Sequence, residues 1–254
     1  MNLDSVLVVN FSTGERTTHL SDLCLKKLGF PNIVTIANEL GFREKFLECA
    51  EIMAKSQFDC LVRTDADRLV YEGVFELLRC FDEDNDLFCV EGQCFDFLMN
   101  RYRAATPHIF SKKAMILLHE NNSLMPDTQK PESRFIEKVT KNKAEGWKLV
   151  NVLTNLHDFD QYPSNVCNTL VNRIFRGHFH SLYDINYLQS LRPEYCAAVN
   201  EAARFANSIG YKSNMDYVDF DFLDNDFAPI DELELEKKYV FYRKIFEKRF
   251  RDMN

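Results

Sequence analysis

Long apolar runs, paired cysteine motifs and an excess of positive charge are all missing from this sequence. The opening MNLDSVLVV has no basic region, and its apolar run is too short for a signal peptide or a membrane span. Eight cysteines are present, but no two have the CxxC spacing and most lie inside apolar stretches. These features predict a cytoplasmic chain with reduced thiols, and they leave peripheral association with a membrane open.

The charge balance argues against nucleic acid as a partner. Lysine and arginine together number 31 against 39 acidic residues, a net charge of −8. Nucleic-acid binding requires clustered positive surface, which this balance disfavours. With 46% hydrophobic residues, the 254-residue chain can build one substantial core and an appendage.

Short β-branched runs alternate with helix-period segments, which predicts an α/β fold with helices flanking a mostly parallel central sheet. Five strands are predicted, at Val6–Val9, Asn32–Ala37, Asp59–Thr64, Asp86–Glu91 and Trp147–Leu153. From about Pro163 onward the periodicity is helical without convincing strands. We therefore divide the chain into a core of residues 1–160 and a helical C-terminal extension of residues 161–254.

Two aspartates, Asp65 and Asp67, follow the third predicted strand in the segment DCLVRTDADRLVYEGVFELL. They come at the carboxyl end of an apolar strand, where open α/β sheets bind ligands. Hard divalent cations prefer oxygen ligands, and Mg²⁺ commonly uses one or two carboxylates together with substrate phosphates. Two acids in a turn are often only solvated or cap the next helix. Here the apolar strand before them and the helix after them favour a metal site instead.

This segment resembles the strand-DxD segment of the GT-A glycosyltransferases, particularly the family 2-like bacterial and archaeal enzymes. A weaker similarity is NLHDFDQYP at 155–163, which looks like the HDF-x-QY segment after the last core strand of some members. The resemblance implies a GT-A, Rossmann-like fold and a hexosyltransferase-type enzyme, which moves a sugar from a nucleotide-diphosphate sugar to a hydroxyl acceptor with inversion. It also implies Mn²⁺ or Mg²⁺ held by Asp65, Asp67 and His157.

The same resemblance implies substrate contacts in other loops. The donor is expected to contact Asn10, Ser12, Arg16, Asn38, Arg43, Arg63 and Asp65. Ordinary turn chemistry explains any single one of these positions at least as well. The acceptor, which could be a glycan, a lipid-linked sugar or a protein, is expected near Gln93, Tyr102 and Arg103. Because the first loop reads NFSTGER and not the P-x-Y-N stretch common in family 2, the nucleotide base is not specified.

An inverting transfer needs a carboxylate that accepts the proton of the attacking hydroxyl. The resemblance implies that this base lies near the start of a helix after the acceptor-binding region. The corresponding stretch MPDTQKPESRF, ahead of the last core strand, contains Glu132 as the first choice and Asp127 as the second. Glu132 could instead be a first-turn acid that stabilises the helix dipole. The C-terminal helices are a candidate surface for a homo-oligomer.

Two other functions stay open. A GT-A-like core could be a non-catalytic assembly protein that uses its helical tail as the contact surface. A haloacid-dehalogenase-type phosphatase also has a DxD after an apolar strand. That motif normally follows the first strand and has Thr or Val two residues after the second Asp, where this chain has Leu69.

Overall fold

A computed structural model describes residues 1–37, 40–127, 131–175, 195–209, 221–224 and 231–253. The strands are β1 (Val6–Phe11), β2 (Ile33–Ile36), β3 (Cys60–Asp65), β4 (Arg68–Val70), β5 (Cys89–Asp96), β6 (Arg101–Ser111) and β7 (Trp147–His157). The helices are α1 (Thr18–Lys27), α2 (Phe42–Lys55), α3 (Val74–Glu83), α4 (Lys112–Glu120), α5 (Pro131–Val139), α6 (Pro163–Phe175), α7 (Cys196–Ile209) and α8 (Glu232–Met253).

The seven strands form one sheet in the order β2-β1-β3-β6-β5-β7-β4. Strands β1, β2 and β3 are parallel, β6 is antiparallel to both β3 and β5, β7 is parallel to β5, and β4 is antiparallel to β7. All strands except β4 and β6 therefore run in one direction. The predicted mostly parallel sheet with flanking helices and a helical C-terminal extension is confirmed over the described residues.

Strands β4 and β6 were not predicted. The buried half of β6 has no alternation of polar and apolar residues, because both of its faces are covered. Pro107 also argued against a strand. It falls where the register against β5 shifts, since Glu91 pairs with His108 and Gly92 pairs with Ala105. Such a bulge accommodates a proline inside a sheet.

The sheet separates two hydrophobic layers, and neighbouring residues of one strand belong to different layers. Leu61 of β3 packs in the layer covered by α2, α4 and α5, together with Phe46 and Phe135. Val62 packs in the opposite layer, together with Leu77 of α3. The cleft described below opens on the side of α2 and α5.

Helix α8 packs against the edge of the core. The ring of Phe246 stacks on Phe95 with centroids 3.7 Å apart and also contacts Phe97. The hydroxyl of Tyr102 donates to the main-chain oxygen of Phe246 at 2.8 Å. Self-association through this helix stays a prediction. Among the helices of the described residues, none combines the length and the apolar character needed to cross a membrane.

The contact between α8 and the sheet predicts an asymmetric response to substitution along this helix. Phe246→Ala should lower the free energy of unfolding by about 3–5 kcal/mol, because a buried aromatic ring is lost. Phe241→Ala on the same helix should change it by no more than about 0.5 kcal/mol, because Phe241 is 60% exposed. Urea denaturation measures both values, and equal losses would contradict the observed packing of α8.

Candidate active-site cleft

The turn Asp65–Asp67 is fixed by main-chain contacts to two neighbouring segments. The buried Ala66 donates its N–H to the oxygen of Phe11 at 2.8 Å and accepts a bond from the Thr17 hydroxyl at 2.6 Å. Strand β4 begins directly after this turn and pairs with the end of β7, so that Arg68 lies opposite His157. The sheet therefore brings together two sequence segments that are about ninety residues apart.

Asp67, His157 and Asp158 form a group whose ligand atoms all lie within 4.8 Å of one another. Oδ2 of Asp67 is 3.2 Å from Nε2 of His157, and Oδ2 of Asp158 is 3.3 Å from Nδ1. Asp158 has a positive φ of 56°, and its N–H donates to the main-chain oxygen of Asp67 at 3.1 Å. A positive φ in a non-glycine residue is uncommon and often marks a functional site.

One carboxylate oxygen in this group is left without a hydrogen bond. Oδ1 of Asp67 is buried and has no hydrogen-bond partner among the described residues. The Nε of Arg68 lies 3.8 Å from it, which is too far for a hydrogen bond. A buried, unsatisfied carboxylate oxygen is costly, so the arrangement fits an oxygen that is completed by a bound cation.

The charges of this group depend strongly on one another. Burial alone would raise the pKa of the Asp67 carboxyl, but the charge and hydrogen bond of His157, with Arg68, hold it well below its usual value. Burial and Arg68 would lower the pKa of His157, but Asp158, Asp67 and Asp96 raise it to about 10. In the metal-free state His157 is therefore an imidazolium that neutralises the surrounding carboxylates.

Asp65 lies beside this group but interacts with different partners. Its carboxylate accepts from Arg63, from Nε of Arg68 at 3.1 Å and from the Thr106 hydroxyl at 3.3 Å. The bulge in β6 brings Thr106 to this position. The two carboxylates of the predicted ligand pair thus have different partners, because arginines bind Asp65 while Asp67 faces His157.

Arg63 is buried under the cleft, with only 2% of its surface exposed. Its guanidinium carbon lies 4.8 Å from the ring centroid of Phe11 and 4.6 Å from that of Phe42. Its Nη1 donates to Oε2 of Glu132 at 3.1 Å. A buried guanidinium needs both carboxylate partners and aromatic contacts to offset the loss of water.

A chain of alternating charges continues from Glu132 across the sheet. Nδ1 of His108 is 2.9 Å from Oε1 of Glu132, and its Nε2 is 3.0 Å from Oε2 of Glu91. Glu91 also accepts from Nζ of Lys143 at 2.7 Å and from Nε1 of Trp147 at 2.8 Å. Arg63, His108 and Glu91 are cross-strand neighbours on β3, β6 and β5.

Most of these residues line one cleft of about 780 Å³, whereas His157 and Asp158 contact Asp67 but are not among its lining residues. Its cationic lining residues are Arg63, Arg68, Arg103, His108 and Lys143, and its carboxylates are Asp65, Asp67, Glu91 and Glu132. With His108 protonated, five positive groups face four negative ones. One bound divalent cation would make the lining clearly positive, which suits a ligand with two or three negative charges.

Four of the predicted donor-binding residues have other partners and do not line this cleft. Buried Asn10 donates to two side chains of α1, and Ser12 hydrogen-bonds within its own loop. Arg16 pairs with a carboxylate in the segment after β7, and Arg43 donates to main-chain oxygens of residues 122–125. Asn38 lies outside the described residues. The structure brings only Arg63 and Asp65 of this set into the cleft.

Of the predicted acceptor and base residues, some line the cleft and others lie outside it. Arg103 lines the cleft, where Nε donates to Oδ2 of Asp96 at 2.8 Å, whereas the Tyr102 hydroxyl is bound to α8. Gln93 does not line the cleft. Glu132 lines it from the first turn of α5, and Asp127 is exposed outside it.

Sequence reasoning missed five residues of the site, namely Arg68, Glu91, His108, Lys143 and Asp158. Arg68 directly follows the aspartate pair and Asp158 directly follows His157, so their positions in the sequence could have identified them as site residues. Glu91 and His108 are ionisable residues next to apolar residues of β5 and β6, which is a recognisable pattern once β6 is identified. Nothing in the local sequence of Lys143 indicates its contact with Glu91.

No protein-family model matches this chain, and no curated protein does. Three solved structures share parts of its fold at 9–11% identity and TM-scores of 0.42–0.43. The first is a glycosyltransferase involved in the glycosylation of the major capsid of PBCV-1, and the match covers 60% of this chain and 92% of that one. The second is a 4-diphosphocytidyl-2C-methyl-D-erythritol synthase from Anaerococcus prevotii, with 58% and 88% covered. The third is a CMP:2-keto-3-deoxy-manno-octonic acid synthetase, with 68% and 99% covered. These values are too low to assign any of these activities to this chain.

The environment of His108 predicts a pH-dependent contribution to stability. Burial would lower the pKa of His108, but Glu132 and Glu91 raise it to about 9, above the value of about 6.5 in an unfolded chain. Its stabilising effect is therefore complete below pH 6.5 and is lost as the pH rises through 9. The stability difference between the parent and His108→Gln should shrink by about 1–3 kcal/mol between pH 6 and pH 9.5.

Urea denaturation at several pH values measures this difference. His119→Gln is the matched control for the removal of a histidine, because His119 is exposed at the end of α4. A constant difference for His108→Gln would contradict the protonated state of His108.

Proposed function

We propose that this chain is a metal-dependent glycosyltransferase, which moves a sugar from a nucleotide-diphosphate sugar to a hydroxyl acceptor. The observation that carries the proposal is the cleft, where the group Asp67, His157 and Asp158 adjoins a row of arginines at one end of the sheet. A departing nucleoside diphosphate needs a metal ion or fixed positive groups to neutralise its developing charge. This cleft combines both means in one place.

Asp67, His157 and Asp158 would hold the metal ion. The free oxygen of Asp67 and the mixed oxygen and imidazole donors fit such a site. Imidazole among the donors favours Mn²⁺ over Mg²⁺, which prefers oxygen ligands alone. A metal bound there would supply Lewis-acid neutralisation of the diphosphate. Since His157 must lose its proton to become a ligand, metal affinity should fall in acid.

Arg68 and Arg103 are the donors best placed for phosphate oxygens. Nε of Arg68 is 3.8 Å from Asp67, and Nη2 of Arg103 is 3.0 Å from Nδ1 of His157, so both adjoin the metal group. Arginine offers phosphate a planar pair of N–H groups, which suits it to this role. The cleft volume of about 780 Å³ lies within the usual range of about 300–1,000 Å³ for small-molecule sites.

Glu132 is the proposed general base of an inverting transfer, and Asp127, outside the cleft, becomes the weaker alternative. Burial would raise the pKa of Glu132, but Arg63 and His108 hold it below its ordinary value. Glu132 is therefore ionised at neutral pH and able to accept a hydrogen bond from a substrate hydroxyl. Its basicity is modest, so proton transfer would occur late, once the attacking hydroxyl has become acidic in the transition state.

The metal assignment predicts loss of nucleotide binding without loss of fold. Asp67→Asn and Asp158→Asn should each weaken Mn²⁺-dependent binding of UDP-, GDP-, CDP- or dTDP-sugars at least about tenfold, because a charged ligand is removed. A thermal-shift screen with and without Mn²⁺ measures this, since a ligand that binds the folded state raises its apparent stability. Glu120→Gln, an exposed acid, is the control.

Nucleotide-sugar binding that is equally tight in both variants and in the parent would exclude the metal group. No binding of any donor by the parent would instead favour the non-catalytic assembly role.

The base assignment predicts a selective loss of turnover. Glu132→Gln should keep donor and Mn²⁺ affinity and lose about 10²–10⁴-fold in kcat, because the shape of the side chain stays while its proton acceptor is removed. Asp127→Asn, outside the cleft, should keep normal turnover. Steady-state kinetics and the anomeric configuration of the product measure these outcomes. A dead Asp127→Asn variant beside an active Glu132→Gln variant would reverse the roles, and a retained configuration would rule out the inverting mechanism.

A further inference from the structure

His108 is held between two carboxylates that come from different elements of the fold. Glu91 belongs to β5 and Glu132 to α5, and each places one oxygen within 3.0 Å of a different ring nitrogen. A neutral imidazole carries one N–H and can donate to only one of them. Both contacts are satisfied together only when the ring is a cation.

Two carboxylates favour this cation, and two cations farther away partly offset them. Glu91 and Glu132 face His108 directly, whereas Arg63 and Lys143 pair with those carboxylates and weaken their effect on the ring. Phe110, on the same strand, meets its ring edge-on at 5.8 Å between centroids. His108 itself is 8% exposed and Glu91 is 4% exposed, so water competes little for these bonds.

Glu132 is constrained more tightly than packing alone requires. Oε2 accepts from Arg63 and Oε1 faces His108, so both oxygens are oriented while the carboxylate still lines the cleft. Each carboxylate oxygen has a second lone pair that can accept another hydrogen bond. The arrangement thus presents an ionised, immobile acceptor to the cleft.

We propose that His108 is a positioning residue, which as a cation bonded to Glu91 and Glu132 keeps Glu132 ionised and oriented toward a substrate hydroxyl. The substrate role of Glu132 rests on the proposed function, whereas the coupling between His108 and Glu132 does not. Glu91 serves as the counter-charge that keeps His108 protonated. Loss of the His108 proton in alkaline solution removes its charge and leaves one N–H for two carboxylates, which weakens its hold on Glu132.

The coupling can be tested by NMR without any substrate. The Cε1–H signal of His108, assigned by its absence in His108→Gln, should titrate near pH 9 in the parent. The side-chain carboxyl carbon of Glu132 should shift over the same pH range. In Glu91→Gln the His108 titration should move down by about one to two pH units, because a neighbouring negative charge is lost. Glu120→Gln should leave it unchanged.

A second variant moves the titration in the opposite direction. Lys143→Met removes a positive charge from Glu91, so the pKa of His108 should rise. Lys143 is 39% exposed, so this substitution should leave the fold intact even if Glu91→Gln does not fold. Titration of His108 near its unperturbed value of about 6.5 in the parent, or no response of Glu132, would overturn the proposal.

Enzyme kinetics provide a third test of the proposal. If transfer is measurable, the alkaline limb of the kcat profile should follow the His108 titration, downward in Glu91→Gln and upward in Lys143→Met. A limb that stays in place while the titration moves would overturn the positioning role. Absence of transfer by the parent with every donor would count against the proposed function alone, because the NMR titrations decide the coupling separately.

Discussion

The burial of Arg63 beneath the cleft is the constraint on which the arrangement of the site depends. A guanidinium that is 2% exposed cannot lose its proton and must be neutralised where it lies. Asp65 and Glu132 supply the charges, and the rings of Phe11 and Phe42 cover its faces. Removing one partner of such a buried pair typically costs about 3–5 kcal/mol, so each carboxylate is held in place by the need to compensate Arg63.

Once Arg63 holds two carboxylates, the other charges of the cleft follow in alternation. On one side Glu132 pairs with His108, His108 pairs with Glu91, and Glu91 pairs with Lys143. On the other side Asp65 is shared with Arg68, which lies opposite His157 across the pairing of β4 with β7. Buried ion networks of this kind contribute little net stability compared with apolar packing. The ion network around this cleft is therefore better explained by its role in orienting side chains for function than by a contribution to folding.

The sequence allowed prediction of those parts that depend on local pattern, and it failed where contacts are set by strand pairing. The turn Asp65–Asp67 could be found because it follows an apolar strand, and His157 could be found through the resemblance of the segment that contains it. The strand β6 could not, since a central strand with a proline at a bulge lacks the alternation by which strands are recognised. Without β6, His108 had no predicted place beside Glu91, and the chain of charges across β3, β6 and β5 could not be anticipated. Asn10, Ser12 and Arg16 were expected in the site through the resemblance, but the structure gives them partners outside the cleft.

The C-terminal helix bears on the cleft through the same strand geometry. Successive residues of β5 point to opposite faces, so Phe95 and Phe97 turn toward α8 while Asp96 between them turns toward the site. The two rings pack against Phe246, and the fully buried carboxylate of Asp96 accepts from Arg103 at 2.8 Å and lies 3.1 Å from Nδ1 of His157. When His157 is charged, Arg103 and Nδ1 of His157 are both hydrogen-bond donors, and the carboxylate of Asp96 between them keeps them close together. Packing of α8 on the two phenylalanines therefore helps to fix the orientation of the His157 imidazole between Asp67 and Asp158, although no residue of α8 lines the cleft.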